Sequence, residues 1–532
     1  MVRNSLRRSP GLAPHSLASC GALRRSNDHL VGAAERRAVR ARTRASQVLD
    51  ADARPDQASG HQERDANDDH GDDDEGSHLN RVLSGCWRSC TRRSGQTIRC
   101  GRAEWRQGQS LGAKASHPVR VHASMQVMHL RPDFARRMAD IAPFEVMEVL
   151  EAARRLEADG RDVIHLEVGE PDFPTPEPVI RAAQAALASA PMFYTSALGM
   201  PELRQEISDW YAGTFGAAVP PARIVVTAGS SAALLMALGA LIDPGDRVLM
   251  SDPGYPCNRN IVRFLDAEPV LVPSGPDDGY QLTAALAGAA WGPGVRAAIA
   301  ASPSNPTGTC LSTREWIALL EVCRERQGTL IADEIYQGLV YDAPAETVLS
   351  VADDVWVVNS FSKYFQMTGW RLGWLVVPDG CTREIEKIAQ NLYISASTPA
   401  QYAAMAAMQP EGLAILEARR VELAARRDVL LEELPKIGFA VRARPQGAFY
   451  IYCDVSAFTD DSFAFAGWLL EQTGVALTPG RDFGEAAPAQ HVRIAYTQPV
   501  DRLREAVARI GAALERLPAR DSPVRGRNGD LR

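Results

Sequence analysis

Between residues 223 and 377, short apolar runs alternate with longer stretches of helical spacing. The runs that predict strands are Arg223–Thr227, Asp246–Met250, Ala297–Ala301, Thr329–Asp333, Val355–Asn359 and Leu372–Val377. Several are continuously apolar, which is typical of strands covered on both faces. Because alternating strands and helices fold into a parallel sheet between helices, the pattern predicts an α/β domain with a mostly parallel sheet.

The segments on either side of this region have a different pattern. Apolar residues recur at helical spacing over 144–156, and a strand and a Gly/Pro turn follow. After residue 410 come a long helix, short strands at Phe449–Cys453 and Val492–Tyr496, and an amphipathic helix over 503–517. We expect a smaller α+β domain built from N- and C-terminal segments. The expected division is an extension (1–127), an N-terminal arm and part of the small domain (128–170), a large domain (171–405), the C-terminal part of the small domain (406–518) and a loose tail (519–532).

Residues 1–127 lack sustained apolar spacing and become acidic at His61–Gly76, a composition that predicts disorder. Three explanations compete: an organelle transit peptide, a metal cluster, and a start placed upstream of the true one. The candidate metal ligands have spacings that fit no zinc pattern: His70, His78, Cys86, Cys90 and Cys100. We favour the upstream start, because globular patterning begins directly after Met125 and Met128, and we expect no metal site.

The composition of the whole chain disfavours several classes of function. The net charge of −7 and the pI of about 5.9 give no basic field for nucleic acid. No apolar run approaches the roughly 20 residues that span a bilayer. The nine cysteines are scattered and odd in number, which suits a reducing compartment rather than a disulfide framework. We therefore expect a cytoplasmic protein with neither a nucleic-acid nor a membrane partner.

Lysine is rare in this chain, which has four among its 58 Lys and Arg residues. One of them, Lys363, follows a predicted buried strand and lies in the stretch Asn359–Trp374, among hydroxyl and aromatic side chains. Arginine keeps its proton, whereas a lysine in an apolar setting can act as a neutral amine. Lys363 is therefore a candidate for Schiff-base chemistry, and the alternative is a surface lysine at a strand end.

A phosphate site is predicted at Gly229-Ser230-Ser231, where a strand ends and a helix begins. The free N–H groups and the positive end of such a helix attract phosphate. The pattern is neither GxGxxG nor a P-loop, so a dinucleotide or a triphosphate is disfavoured. Ordinary capping of the helix by serine is the alternative.

Further strand ends carry side chains that suit a flat, charged ring. Asp333 and Glu334 end an apolar strand, and because side chains alternate between faces, only one of them can face a given ligand. Tyr336 and the amide of Asn305 can donate hydrogen bonds, and Tyr255 can stack. Capping, turn and packing roles are the alternatives. Together with the lysine and the phosphate site, these residues indicate pyridoxal phosphate (PLP) bound at the strand ends of an α/β sheet.

These motifs resemble those of the class I/II aminotransferases, the aspartate aminotransferase superfamily of fold-type I PLP enzymes. The resemblance covers about residues 128–517, and Ser-Phe-Ser-Lys followed by Gly-Trp-Arg-Leu-Gly is similar to the family's lysine signature. It implies that Lys363 forms the Schiff base and carries a proton, and that Asp333 and Tyr336 share the catalysis. The phosphate contacts it implies come from Gly229, Ser230, Ser231, Ser360 and Arg371. The ring contacts it implies come from Tyr255, Asn305, Asp333 and Tyr336.

The same resemblance implies substrate contacts and an assembly. The residues it places at the substrate are Gly169, Asn305 and Arg493, with Arg493 on the α-carboxylate. Tyr194 is similar to the tyrosine that reaches a neighbouring subunit's phosphate, which implies a homodimer with shared active sites. The implied reaction moves the amino group of an L-amino acid to a 2-oxo acid, 2-oxoglutarate or pyruvate.

Two other functions stay open at this point. A PLP-dependent lyase that catalyses β-elimination would use the same core. An aminotransferase-like transcription regulator would need a patterned helix-turn-helix upstream, which residues 1–127 do not offer. The amino acid also stays open, since Ser231 stands where some aspartate-using relatives carry a lysine and no arginine for a distal carboxylate can be placed. Alanine, branched-chain and aromatic amino acids are all candidates.

Overall fold

The computed structural model describes residues 134–517. The predicted extension with its candidate metal ligands, the two candidate starts and the predicted tail lie outside the described residues. The described α-helices are α1 (Glu145–Ala158), α2 (Glu177–Ser189), α3 (Pro201–Phe215), α4 (Ser230–Leu241), α5 (Pro256–Phe264), α6 (Ala284–Ala290), α7 (Thr313–Glu325), α8 (Thr382–Leu392), α9 (Thr398–Ala407), α10 (Pro410–Glu433), α11 (Ser462–Thr473) and α12 (Val500–Leu514). Short 3-10 helices lie at Arg136–Ala139, Pro221–Arg223, Pro276–Asp278, Val348–Ser350, Thr368–Trp370, Leu434–Ile437, Gly480–Phe483 and Pro488–Gln490.

The described strands form three sheets. They are β1 (Ile164–His165), β2 (Ile224–Thr227), β3 (Arg247–Asp252), β4 (Glu268–Pro273), β5 (Val295–Ala301), β6 (Thr329–Asp333), β7 (Trp356–Ser360), β8 (Gly373–Val376), β9 (Ala440–Val441), β10 (Tyr450–Asp454), β11 (Val475–Ala476), β12 (Thr478–Pro479) and β13 (His491–Ala495).

The largest sheet has seven strands in the order β2-β8-β7-β6-β5-β3-β4. Its neighbours are parallel except for β8, which runs antiparallel to both β2 and β7. Successive residues pack on opposite faces: Val357 lies in one hydrophobic cluster and Val358 in the other. Both faces are thus covered, which explains the continuously apolar strands and confirms the predicted α/β class.

One strand of this sheet, β4, was not among the predicted ones. It lies at the sheet edge beside β3, and its residues are mostly half-exposed or exposed. Pro269 and Pro273 lie within it. Proline removes a donor from the ladder and is tolerated mainly in edge strands, so this segment lacks the apolar continuity of a central strand.

The smaller unit joins the two ends of the described range. Strand β1, near its beginning, pairs in parallel with β11, near its end, with Ile164 opposite Val475. A four-stranded antiparallel sheet of order β12-β13-β10-β9 lies beside this pair. The predicted α+β unit of N- and C-terminal segments is confirmed. None of the helices between residues 134 and 517 is both long and apolar enough to cross a membrane.

Candidate active site

The parallel strands bring the predicted residues together. Because β3, β5, β6 and β7 run in the same direction, their carboxyl ends meet at one edge of the sheet. Tyr255 follows β3, Asn305 follows β5, Asp333 ends β6 and Lys363 follows β7. Gly169 and Arg493 of the smaller unit also reach this edge: Gly169 contacts Lys363, and Arg493 contacts Asn305.

Lys363 is partly buried at this edge, and its amine contacts the N-terminal segment. Its Nζ donates a hydrogen bond to the carbonyl oxygen of Gly169 at 2.7 Å. The same nitrogen lies 5.8 Å from the ring centroids of both Tyr336 and Phe449. Burial, helped by Arg493 and Arg371, lowers the pKa of Lys363 to about 8, although Glu170 and Asp333 oppose this shift. A substantial fraction of this amine is therefore neutral slightly above physiological pH.

Asp333 and its neighbour Glu334 point in different directions, as predicted. Asp333 is 7% exposed, and burial raises its pKa to about 6, against the opposing effects of the Ile335 N–H and of Lys363. Glu334 accepts hydrogen bonds from Thr347 Oγ1 at 2.9 Å and Val348 N at 2.8 Å, away from the lysine. Of the two carboxylates, Asp333 is therefore the one that interacts with Lys363, and a pKa of about 6 leaves it mostly ionised at neutral pH.

The predicted phosphate site is a glycine turn that faces a guanidinium. Gly229 has φ +84° and precedes α4 without any side-chain cap, so N–H groups of the first turn lack a partner from the cap. A Cβ at Gly229 would lie 2.7 Å from Arg371 Nη2, which shows how closely the two approach. Ser230 is half-buried and Ser231 is exposed. The turn combines a helix N-terminus with an arginine, as an anion site requires.

The two serines of the lysine signature have different surroundings. Ser360 is fully buried; its Oγ donates to Leu372 O at 3.4 Å and accepts from Ser362 N at 3.0 Å. Ser362, which was not predicted, lies with its Oγ 3.5 Å from Arg371 Nη1. In this arrangement the Ser362 hydroxyl is the one beside the guanidinium. A phosphate contact by Ser360 stays a prediction.

Arg493 is buried in β13 with partners from both units. Its Nη1 donates to Asn305 Oδ1 at 3.0 Å, and its Nη2 donates to Glu167 O at 2.5 Å and Thr478 Oγ1 at 3.1 Å. Its Cζ lies 4.3 Å from the ring centroid of Tyr450. The buried Nε has no hydrogen-bond partner among the described residues. A buried guanidinium with a free donor, and with no carboxylate in ion-pair contact among residues 134–517, is suited to binding a substrate carboxylate.

Sequence reasoning missed Tyr450. Its hydroxyl lies 2.9 Å from that of Tyr336, and a Cβ at Gly169 would come within 2.3 Å of it. Tyr450 therefore joins Tyr336, Gly169 and Arg493, and it explains why residue 169 is a glycine. Its position follows from the β10–β13 pairing, which a search for local motifs does not reveal.

Two predicted tyrosines differ in where they lie. Tyr255 is half-buried and lines a small cavity together with Asn305, Arg259 and Phe483. Tyr194 is 79% exposed in the loop before α3, and the structure does not bring it to the other residues within one chain. No group of three or more His, Cys, Asp and Glu side chains in the part of the chain described here is arranged to hold a metal ion.

Comparison with known proteins agrees with this geometry. The family model "Aminotransferase class I and II" matches residues 161–510. The valine–pyruvate aminotransferase of Mycobacterium tuberculosis is 43% identical over 378 residues, which are 71% of this chain and 97% of that protein. The (5-formylfuran-3-yl)methyl phosphate transaminase of Methanocaldococcus jannaschii is 36% identical over 379 residues, 71% of this chain and 98% of that protein.

A solved structure shows the same fold. The crystal structure of an aminotransferase from Mycobacterium tuberculosis superposes with a TM-score of 0.70 at 42% identity, covering 72% of this chain and 99% of that one. The resemblance inferred from the lysine signature is thereby confirmed. The chain belongs to the class I and II aminotransferases, and it is a transaminase that transfers an amino group between an amino acid and a 2-oxo acid.

Proposed function

We propose that this transaminase uses PLP, bound at Lys363, to move the amino group of an L-amino acid to 2-oxoglutarate or pyruvate. The observation that carries the proposal is a partly buried lysine with a lowered pKa beside a buried carboxylate and a turn that we expect to bind an anion. The name of the Mycobacterium tuberculosis relative makes valine and pyruvate the first substrates to test.

The residues at this edge fit the phosphate of PLP. The Gly229 turn leaves no room for a side chain beside Arg371, and the helix begins without a cap. In our proposal Gly229, Ser230 and Ser231 hold the phosphate through their N–H groups and hydroxyls, together with Arg371 and the hydroxyl of Ser360. A dianionic group would neutralise the arginine and complete the helix end.

The residues near Lys363 also fit the ring. A buried carboxylate is costly unless a positive group pairs with it, and Asp333 would pair with the protonated ring nitrogen. Tyr336 and Asn305 would donate to the ring oxygen, and Tyr255 would stack on the ring face. The Tyr450 hydroxyl, 2.9 Å from that of Tyr336, would orient the Tyr336 donor.

The chain's own groups then supply proton transfer and substrate orientation. PLP, when bound, acts as an electron sink that makes the α-proton of the amino acid acidic. Lys363 Nζ takes this proton and later returns it, a task for which a pKa of about 8 is well matched. Arg493 binds the α-carboxylate, Asn305 holds the guanidinium in place, and Gly169, which has no side chain, lets the Tyr450 hydroxyl lie beside the place we propose for the substrate.

We also propose a homodimer that works in the cytoplasm. Tyr194 and the adjacent Phe193 are each 79% exposed, as expected of residues that contact a second copy. In a dimer Tyr194 would contact the phosphate bound by the neighbouring subunit. The five cysteines in the described range are all free, which suits a reducing compartment.

An amino-donor screen tests the proposed reaction. The purified full chain, loaded with PLP, is offered single L-amino acids with 2-oxoglutarate or pyruvate, and the new oxo acid is quantified. We expect at least one aliphatic donor to yield its oxo acid, with the acceptor aminated in equal amount. Release of ammonia and pyruvate without amination of any acceptor would instead indicate β-elimination.

The proposed role of Arg493 predicts a defect in substrate binding. Removing one partner of a buried charge pair costs roughly 2–5 kcal/mol, so kcat/KM in Arg493→Met should fall by about 30-fold to several thousand-fold. The loss should be mainly in KM, and Arg493→Lys should recover only part of it because a lysine cannot form two parallel hydrogen bonds. Steady-state kinetics with donor and acceptor measure this.

A matched control is Arg442→Met, which changes an exposed arginine that pairs with Asp454 in the same sheet. Its kinetics should equal those of the unmodified enzyme. An unchanged KM in Arg493→Met would contradict the proposed carboxylate contact.

The pKa of Lys363 predicts how cofactor uptake depends on pH. Lys363 would hold PLP through its neutral amine, and the fraction in that form rises with pH through about 8 rather than through the ordinary lysine value of 10.5. The rate at which cofactor-free enzyme regains its visible absorbance should therefore increase from pH 6 and level off above about 8. A rate that keeps rising towards pH 10 would show that the pKa is not lowered.

A further inference from the structure

The loop Gly480–Ala486, which includes a short 3-10 helix, contacts several parts of the site without carrying a proposed catalytic residue. Its Asp482 carboxylate accepts hydrogen bonds from Glu145 N at 2.7 Å and Val146 N at 2.8 Å, at the start of α1. Its Asp482 carbonyl accepts from Arg259 Nη2 at 2.8 Å. The loop therefore connects the first helix of the smaller unit with α5 of the larger one.

Phe483 is the part of this loop that faces the substrate arginine. Its ring centroid lies 5.0 Å from Arg493 Cζ, and the Tyr450 ring is 4.3 Å from the same atom. Cations are attracted to aromatic faces, so the two rings restrict where the guanidinium can lie. The Phe483 carbonyl in turn accepts a hydrogen bond from Gly254 N at 2.7 Å, next to Tyr255.

Asp252, at the end of β3, anchors the other end of the loop. It is 2% exposed, and its Oδ2 accepts hydrogen bonds from Glu485 N at 2.8 Å and Ala486 N at 3.0 Å. Its buried Oδ1 has no hydrogen-bond partner among residues 134–517. A Cβ on Gly484 would lie only 1.6 Å from that oxygen, so the loop fits the carboxylate closely.

A buried carboxylate with one oxygen unsatisfied costs stability, and burial raises the pKa of Asp252. The two hydrogen bonds that it accepts from the loop offset part of this destabilisation. Among residues 134–517, the hydrogen bonds of this carboxylate go to the loop and none goes to the lysine, the phosphate turn or Arg493, so the loop is the contact through which it would act on the site.

We propose that Asp252 is a positioning residue for carboxylate binding: by holding Glu485 and Ala486, it keeps Phe483 against the guanidinium of Arg493. The inference rests on the proposed role of Arg493 and adds the residue that fixes its orientation. Both substrates of the transaminase carry an α-carboxylate, so both should depend on Asp252 equally.

The test is steady-state kinetics of Asp252→Ala in the full chain loaded with PLP. Losing hydrogen bonds to a charged group should raise KM for the amino acid and for the oxo acid by about 10- to 100-fold, with kcat changed less than about threefold. The matched control is Ser274→Ala, because Ser274 is buried and donates to the backbone oxygen of Asp252 at 3.2 Å without contacting the loop. Its KM values should stay at wild type.

A double-mutant cycle separates positioning from general stability. If Asp252 acts through Arg493, adding Arg493→Lys to Asp252→Ala should raise KM by less than it does in the wild type. Additive effects, or a lowered Tm with unchanged KM, would overturn the inference. If Asp252→Ala does not fold, Phe483→Leu replaces it in the cycle. Its effect on KM should likewise be less than additive with that of Arg493→Lys, and additive effects would overturn the inference. If Arg493→Lys alone leaves KM unchanged, the proposed role of Arg493 fails instead.

Discussion

Transamination by Lys363→Ala is expected to be slower by at least about 10²–10⁴-fold, the usual contribution of a general acid–base group. The variant should also lack the visible absorbance that appears when the unmodified protein takes up PLP. The structure offers no replacement amine among the described residues. The other two lysines in that range are exposed and ion-paired, Lys387 with Glu384 and Lys436 with Glu432.

Lys387→Ala is the control, because it removes a lysine from an exposed helix surface and leaves the site intact. It should keep full activity and full absorbance. The measurements are the initial rate of oxo-acid formation and the absorbance spectrum after titration with PLP. If Lys363→Ala retained the spectrum and rate of the unmodified protein, the cofactor would have to be attached elsewhere, and the proposed function would fail.

Asp333→Asn is expected to reduce the rate of α-proton removal by about 150-fold to several thousand-fold. The pKa of about 6 means that Asp333 is a carboxylate at neutral pH, and an amide cannot stabilise a buried positive ring nitrogen. Leaving a buried charge without its partner costs roughly 3–5 kcal/mol, which corresponds to that range of rates. The measurement is the loss of deuterium from the α-carbon of a labelled donor in a single turnover.

Glu334→Gln provides the matched control one residue further along the chain. Burial raises the pKa of Glu334 to about 8, so this side chain is mostly neutral at pH 7 and an amide resembles it. Its partners, Thr347 and Val348, lie away from Lys363. The control should turn over at the normal rate. A wild-type exchange rate in Asp333→Asn would remove Asp333 from the catalytic group.

The sequence predicts those parts of the site that lie next to a strand end. Lys363, Asp333 and Asn305 each follow an apolar run, and parallel strands bring such ends to one edge whatever the details of packing. Even the different directions of Asp333 and Glu334 follow from strand alternation. This much of the fold and of the candidate site is a consequence of local patterns.

Other parts depend on distances in the folded chain that no local pattern contains. Tyr450 and Thr478 reach Arg493 through the pairing of β10, β12 and β13. Phe483 does so through a loop with no repeating pattern. Ser360 and Ser362 of the lysine signature are a further example. Their spacing in the sequence does not tell that the Ser360 hydroxyl bonds to the backbone and the Ser362 hydroxyl faces Arg371. The edge strand β4 was missed because its prolines and exposure hide it.

The pairing of β1 with β11 has a consequence for synthesis of the chain. The large sheet is complete once residues up to Val376 have emerged, but the N-terminal segment finds its partner only when Val475 and Ala476 are made. The Thr478–Glu167 hydrogen bond, for example, joins residues 311 positions apart. Contacts so distant in sequence form late in folding. A nascent chain would thus have the strand ends that carry Asp333 and Lys363 before it has Arg493, so in the proposed function the cofactor residues would be made before the residue that binds the substrate carboxylate.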